Sequence, residues 1–166
     1  EWGFRVQITN LEFHNGYRHI VLWTGNEDTA NFTVENCVFK NSSGTVFYSY
    51  NFLNPKRTNF ADTTYGLYSV KWQGEKPILK KNNENERRYA NSTLFTFSDC
   101  DFINCVEIFR FNGDGAVIEN CNVQVSADAT ASPFNISGLA SIINLNATAD
   151  KAIPGKAWFN NPATRL

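Results

Sequence analysis

The sequence predicts an all-β chain wound as a parallel solenoid, on three observations. Phe (14), Tyr (6) and Trp (4) are abundant, and aromatic side chains favour strands. No amphipathic helix longer than about two turns can be drawn. One phrase, "FTVENCVFKN" at 32–41, returns almost unchanged as "FTFSDCDFIN" at 95–104.

Aligned on a polar corner residue, five stretches match: 6–15, 32–41, 95–104, 116–125 and, least closely, 141–150. The corner column reads Asn10, Asn36, Asp99, Asn120, Asn144, and the next reads Leu11, Cys37, Cys100, Cys121, Leu145. Two residues before the corner stand Ile8, Val34, Phe97, Ile118 and Ile142; three after it stand Phe13, Phe39, Phe102, Val123 and Ala147. Five after it, Asn recurs as Asn15, Asn41 and Asn104. Successive corners lie 26, 63, 21 and 24 residues apart. A period in the twenties is that of a solenoid whose unit is one coil of strands. Leucine-rich repeats share the length but need Leu at fixed places, and only the first and last corners supply it. Strands pairing in parallel with their copies, roughly 4.8 Å apart, put like residues on like. Asn tolerates a left-handed backbone and can hydrogen-bond its copy, so the chain turns a corner at Asn36 without reversing. Cys37 and Phe39 then point inward.

The pattern F-T-V-E-N-C-x-F-x-N in successive coils resembles the right-handed parallel β-helix of the pectin-lyase-like superfamily, over residues 4–50 and 93–148. The resemblance implies a right-handed parallel β-helix of about five coils over 1–150, with one long insertion at 52–92, and 151–166 as a C-terminal extension or cap. It also implies a choice of functions. That superfamily holds polysaccharide lyases and hydrolases, epimerases, phage tailspikes, adhesins and non-catalytic surface proteins.

Further strands follow each corner. "HIVLWTG" (19–25), "TVFYSYN" (45–51) and "EIFRFNG" (107–113) align by their ends. That alignment turns Val21, Phe47 and Phe109 inward and leaves Leu22, Tyr48 and Arg110 as an outward column, with Thr24, Tyr50 and Asn112 as another. A slip of one residue would reverse the faces. The insertion 52–92 begins turn-rich and polar; "GLYSVKW" reads as a strand and "QGEKP" as a turn. It forms either one wall of a binding face or a surface loop. The last segment, "KAIPGKAWFNNPATRL", lacks repeat character. Pro154-Gly155 breaks any strand, and Trp158 and Phe159 are expected to cover the open end of the coils.

The chemistry-bearing residues are sparse. A polysaccharide lyase needs a base and a group that neutralises the sugar carboxylate. The resemblance makes Arg110, Lys71 and Arg87 the catalytic candidates, Arg110 being set between Phe109 and Phe111. Each reads equally as a surface charge, Arg110 as one lying over aromatics. Calcium needs converging carboxylates, and none converge, so no metal site and no cofactor is expected. Glu35 and Glu119 share a column but read equally as solvent-facing strand. His14 and His19 flank "NGYR" without a ligand pattern. The four Cys lack metal spacing, and stacked copies have parallel Cβ vectors, so buried free thiols are expected. Sequons at Asn31, Asn41, Asn91, Asn135 and Asn146 permit a secreted source and require nothing.

Lys+Arg 15 against Asp+Glu 16 leaves a formal charge of −1, which removes a broad electrostatic case for nucleic acid. No run of 18 apolar residues is long enough to span a membrane. The opening Glu1-Trp2-Gly3-Phe4 and the lack of Met suggest a piece of a longer protein. The function expected is an extracellular or cell-surface glycan-binding or adhesion domain. Trp23, Tyr48, Tyr50, Arg110 and Asn112 would contact a polysaccharide, with Trp72 as a further aromatic. The alternatives are a polysaccharide lyase or hydrolase acting on acidic glycans, and a structural coil stack in a fibre or tailspike. Association with the rest of a larger chain or assembly belongs to the same expectation.

Overall fold

The structure, a computed structural model, describes residues 4–24, 29–51, 68–74, 76–81, 94–112, 115–137, 140–151 and 158–160. All regular structure among the described residues is β-strand: β1 (Phe4–Thr9), β2 (Glu12–His14), β3 (Ile20–Thr24), β4 (Thr29–Glu35), β5 (Val38–Lys40), β6 (Thr45–Asn51), β7 (Tyr68–Gln73), β8 (Lys76–Lys81), β9 (Leu94–Ser98), β10 (Asp101–Cys105), β11 (Glu107–Asn112), β12 (Gly115–Glu119), β13 (Asn122–Val125), β14 (Phe134–Ser137), β15 (Ala140–Ile143), β16 (Asn146–Ala149) and β17 (Phe159–Asn160). They form three five-stranded sheets and one pair. Sheet A runs β1-β4-β9-β12-β15, sheet B runs β2-β5-β10-β13-β16, and sheet C runs β3-β6-β11-β14-β17. Every pairing within these sheets is parallel. Each sheet therefore takes one strand from each successive coil, which is the order of a parallel β-solenoid.

The corners are made by one conformation. Asn10, Asn36, Asp99, Asn120 and Asn144 have φ between 51° and 58°, and Asn15, Asn41 and Asn104 have φ of 54–56°. These left-handed residues bend the chain from sheet A to sheet B and then away from β2, β5 and β10. Asn is among the few residues with a side chain that adopt this region routinely. Its amide then bonds the copy in the preceding coil. Nδ2 of Asn36 donates to Oδ1 of Asn10 (2.6 Å), Asn144 to Asn120 (3.0 Å), Asn41 to Asn15 (3.1 Å) and Asn104 to Asn41 (2.9 Å). The corner N–H groups donate to the following coil, Asn36 to Ser98 (3.0 Å) and Asn120 to Ile143 (3.0 Å) among them. Thus the bend that the sequence pattern requires leaves few backbone groups orphaned.

Register follows from the corners, and the core follows from register. Phe13, Phe39 and Phe102 stack with centroids 4.8 and 5.2 Å apart and planes 8° and 7° off parallel. Each such contact adds about 0.5–1.5 kcal/mol beyond burial. The column tapers to Val123 and Ala147. Phe47 fills the middle against Phe32, Phe95, Phe97 and Phe111. Beside Phe95 the next coil has Ala116, followed by Ala140, so the core narrows there. Cys37, Cys100 and Cys121 lie in file and are free and buried, as is Cys105. Their Sγ atoms sit 3.2–3.3 Å from the carbonyls of Glu35, Ser98 and Glu119.

One face assignment is corrected. β3 pairs with β6 as Ile20↔Phe47 and Val21↔Tyr48. Ile20 is therefore the inward residue, and Val21, aligned as inward, is 52% exposed. "HIVLW" has no polar alternation, so its ends could not fix the slip. Of 151–166 the structure describes Lys151 and Trp158–Asn160: Phe159–Asn160 pairs in parallel with β14 as a strand of sheet C, while Trp158 packs against Phe134. β14 itself, in "SPFNIS", was not among the strands aligned. Within 52–92 the described part is the antiparallel pair β7–β8, which turns at Gly74 with φ 62°.

Asp99 interrupts the amide ladder. Its carboxylate has no hydrogen to donate to Asn36, and among the described residues no side-chain bond joins it to either neighbour. Asp99→Asn is expected to raise stability by about 0.5–1.5 kcal/mol, read as an upward shift of the urea midpoint with unchanged slope.

Candidate functional site

The outer face of sheet C gathers the side chains best suited to a ligand. Its register places Val21, Tyr48, Arg110 and Asn135 in one column. The neighbours Phe47, Phe109 and Phe134 are fully buried, so strand alternation turns Tyr48 and Arg110 away from the core. Arg18, from the segment between β2 and β3, lies over the Tyr48 ring with its guanidinium carbon 4.3 Å from the centroid, and 5.5 Å from that of Tyr17. Such contacts are cation–π attractions of about 0.5–1 kcal/mol at exposed sites. One guanidinium group thus covers the Tyr48 ring, and a second belongs to Arg110, the residue paired with Tyr48 on the next strand.

Arg110 has a side-chain partner that the sequence did not disclose. Glu107, only 4% exposed, begins β11. Its Oε1 accepts from Arg110 Nε (3.1 Å) and Nη2 (2.9 Å) and from Asn135 Nδ2; its Oε2 accepts from Thr45 Oγ1. A buried carboxylate needs this many donors to offset lost hydration. The pairing fixes Arg110 while leaving its side chain 51% exposed, and Nη1 has no partner among the described residues. A signal for Glu107 existed: it is a charged residue at the head of the apolar run "EIFRF".

The other candidates lie as follows. Trp23 and Tyr50 are paired across β3 and β6, and Asn112 is paired with Ser137; the side chains of Trp23, Tyr50 and Asn112 lie outside the described residues. Lys71 is exposed on β7 opposite Ile78, with Trp72 next to it. Arg87 lies outside the described residues. The structure thus joins Tyr48 and Arg110, adds Arg18, Glu107 and Asn135, and leaves Lys71 on the separate hairpin.

An open cleft of about 280 Å³ lies where the chain enters sheet C. Its walls are the segments leading into β6, β11 and β14, and they supply Ser42, Ser43, Asn104, Ser126, Asp128 and Thr130. It mixes hydroxyl, amide and carboxylate groups with apolar surface such as Val106, and no aromatic ring among the described residues lines it.

Histidine and cysteine contribute structure. His19 stacks on Phe13 and Phe39 (6.0 and 5.8 Å), and its Nε2 accepts from the Gly16 N–H (3.0 Å). A Cβ on residue 16 would fall 2.2 Å from the His19 ring, which explains glycine there. Burial, with a smaller contribution from His14, pushes the His19 pKa below its ordinary 6.5. His14 hydrogen-bonds Glu12 (2.9 Å), and that bond, with Lys40 3.5 Å away, lowers the Glu12 pKa. Burial raises the thiol pKa of Cys37 and Cys105; at Cys100 a hydrogen bond with Cys121 and burial act together in the same direction. The raised thiols of Cys37, Cys100 and Cys105 are poor nucleophiles, while the same hydrogen bond with Cys100 lowers the pKa of the buried Cys121. Among the described residues no group of three His, Cys, Asp or Glu converges as metal ligands. No helix there is long and apolar enough to cross a membrane.

Compared with models of protein families, with curated proteins and with solved structures, the chain matches none.

Removing Arg110 strands a buried carboxylate. Arg110→Met is expected to cost about 1–3 kcal/mol, below the full cost for a wholly buried pair because the arginine is half in water. Glu107→Gln, which leaves no stranded charge, should cost less. Urea midpoints of the two variants give the order. His19 sets a pH dependence. The unfolded imidazole takes a proton near 6.5 and the folded one only at lower pH, so the unfolded state binds more protons between those values. Stability therefore falls as pH drops from about 7 to about 5. His19→Phe should flatten that slope of melting temperature against pH.

Proposed function

We propose that the chain is an extracellular or cell-surface domain that binds acidic polysaccharide along the outer face of sheet C. The observation that carries this reading is the Arg18 guanidinium over the Tyr48 ring, 4.3 Å from its centroid, with Arg110 paired beside Tyr48 in sheet C. Guanidinium forks match carboxylate and sulfate geometry, and rings of tyrosine present an apolar face with a polar tip. Among the described residues the other two sheets show no arginine over an aromatic ring. Sheet A carries Glu35 and Glu119 in one column, and sheet B carries Asp101, Asn122 and Asn146. The polar cleft at the entrance to sheet C adds hydroxyl and amide partners for neutral sugar units.

The architecture proposed with it is a right-handed parallel β-helix of the pectin-lyase-like kind, with five coils and the insertion at 52–92. Support comes from the three parallel sheets, the left-handed Asn corners and the strong right-handed preference of parallel crossovers. The lyase reading has less support: Arg110 spends Nε and Nη2 on Glu107, and Lys71 sits on another element.

The test is a polysaccharide array followed by calorimetry at low and at physiological salt. Uronate or sulfated polymers should bind, with weaker binding as salt rises. Arg18→Gln should lower affinity about tenfold, equivalent to about 1.4 kcal/mol, with little change in melting temperature. Absence of binding to every acidic polymer at low salt would remove the reading.

A further inference from the structure

The links between sheets B and C differ in length from coil to coil, and the difference makes the cleft. Four residues, 41–44, join β5 to β6; one, Val106, joins β10 to β11; eight, 126–133, join β13 to β14. The short link lies between two longer ones. They stand proud of it as walls, and the half-buried Val106 forms the floor.

The walls carry acceptors with nothing to accept. In the column five residues after the corner, Asn15, Asn41 and Asn104 are followed by Val125. Asn104 donates its Nδ2 to Asn41 (2.9 Å), and among the described residues no side chain donates to its own Oδ1. Beyond Val125 the chain makes a turn that holds itself together. The Asp128 N–H donates to Ser126 Oγ (3.3 Å), and the Ala129 N–H to the Ser126 carbonyl (3.1 Å). That turn sets the exposed Asp128 carboxylate at the cleft, and no cation among the described residues pairs with it. Ser43 and Thr130 add exposed hydroxyls, which donate or accept. Among the described residues no lysine, arginine or histidine lines the cleft.

A ligand for such a cleft must bring donors and must not bring an anion. A carboxylate or sulfate would meet Asp128 with no counter-charge. Adjacent hydroxyls of a sugar ring donate to a carboxylate and an amide oxygen, and its C–H face rests on an apolar floor. Arg110 lies four residues beyond Val106, roughly 13 Å along the strand, so one sugar ring does not reach both.

We infer that the cleft is a subsite for an uncharged sugar unit with adjacent hydroxyls, and that the polymer bound along sheet C therefore mixes neutral with acidic units; this rests on the reading of sheet C as a face for acidic polysaccharide. Arg18 and Arg110 select the charge, and the cleft selects the uncharged neighbour. A polymer in which every unit is acidic satisfies the first and is refused by the second.

The test is calorimetry of the 166-residue chain with two classes of polymer at matched carboxylate concentration. Polygalacturonate is acidic at every unit; hyaluronan, unsulfated chondroitin and gellan mix acidic with neutral units. At least one mixed polymer should bind about tenfold tighter than polygalacturonate. Asp128→Ala should weaken that polymer about tenfold, the scale of one lost bond to a charged group. It should leave polygalacturonate unchanged or slightly tighter. A purely electrostatic role for Asp128 would instead strengthen both, because a negative charge has gone. Thr130→Val removes a hydroxyl and keeps the shape; it should weaken the mixed polymer about threefold, the scale of a neutral hydrogen bond. Arg18→Gln should weaken both classes. Both cleft positions are exposed, and an unchanged melting temperature checks that the variants fold. Polygalacturonate binding as tightly as every mixed polymer would overturn the inference and leave the reading of sheet C standing. So would mixed-polymer affinity that neither cleft variant changes. Absence of binding to all four polymers at low salt would remove both.

Discussion

The left-handed asparagine corner is the constraint on which the rest depends. It bends the backbone between sheets A and B at the same residue of every coil, and a bend fixed in phase fixes the register of the strands on both sides. Once register is fixed, identical columns pile up without further instruction. The phenyl rings of Phe13, Phe39 and Phe102 meet face on because Asn10, Asn36 and Asp99 stand three residues before them. Left-handed backbone costs roughly 1–2 kcal/mol for an ordinary residue. Asn lowers that cost, and its amide returns a hydrogen bond to the coil below. The corner therefore bends the chain and ties its coils together with the same side chain.

This explains what could be read in advance. A positive φ admits few residue types, so the corner column stands out in the sequence even where its neighbours vary. Cys37, Cys100 and Cys121 beside it were legible for the same reason. Positions far from a corner carry no such mark. In "HIVLWTG" every candidate register offers an apolar face, and the slip that puts Ile20 inward was decided by packing on Phe47. β14 was hidden because Ser132 and Pro133 precede it and no left-handed residue announces it. β17 is only two residues long, too short for any periodicity.

The candidate site was half legible. Tyr48 and Arg110 were placed on one outward column by alternation, which needs only a strand. Arg18 was missed because its position over Tyr48 comes from the connection before β3, whose path no periodicity describes. Glu107 was missed because burial of a carboxylate is decided by donors from other coils. Thr45 precedes it by 62 residues and Asn135 follows by 28. Such a cluster is assembled only when the sheets have formed, so its one local trace is a charge at the head of the run "EIFRF".

That carboxylate also bears on how the molecule would respond to force. A β-solenoid drawn out along its axis loses coils from the ends inward, each coil detaching as its own backbone bonds part. Glu107 spans three successive coils, through Thr45 below, Arg110 in its own, and Asn135 above. Those coils share one electrostatic rivet. Under tension they would yield together as a single block, giving the middle of the molecule a mechanical strength that its peeling ends do not have.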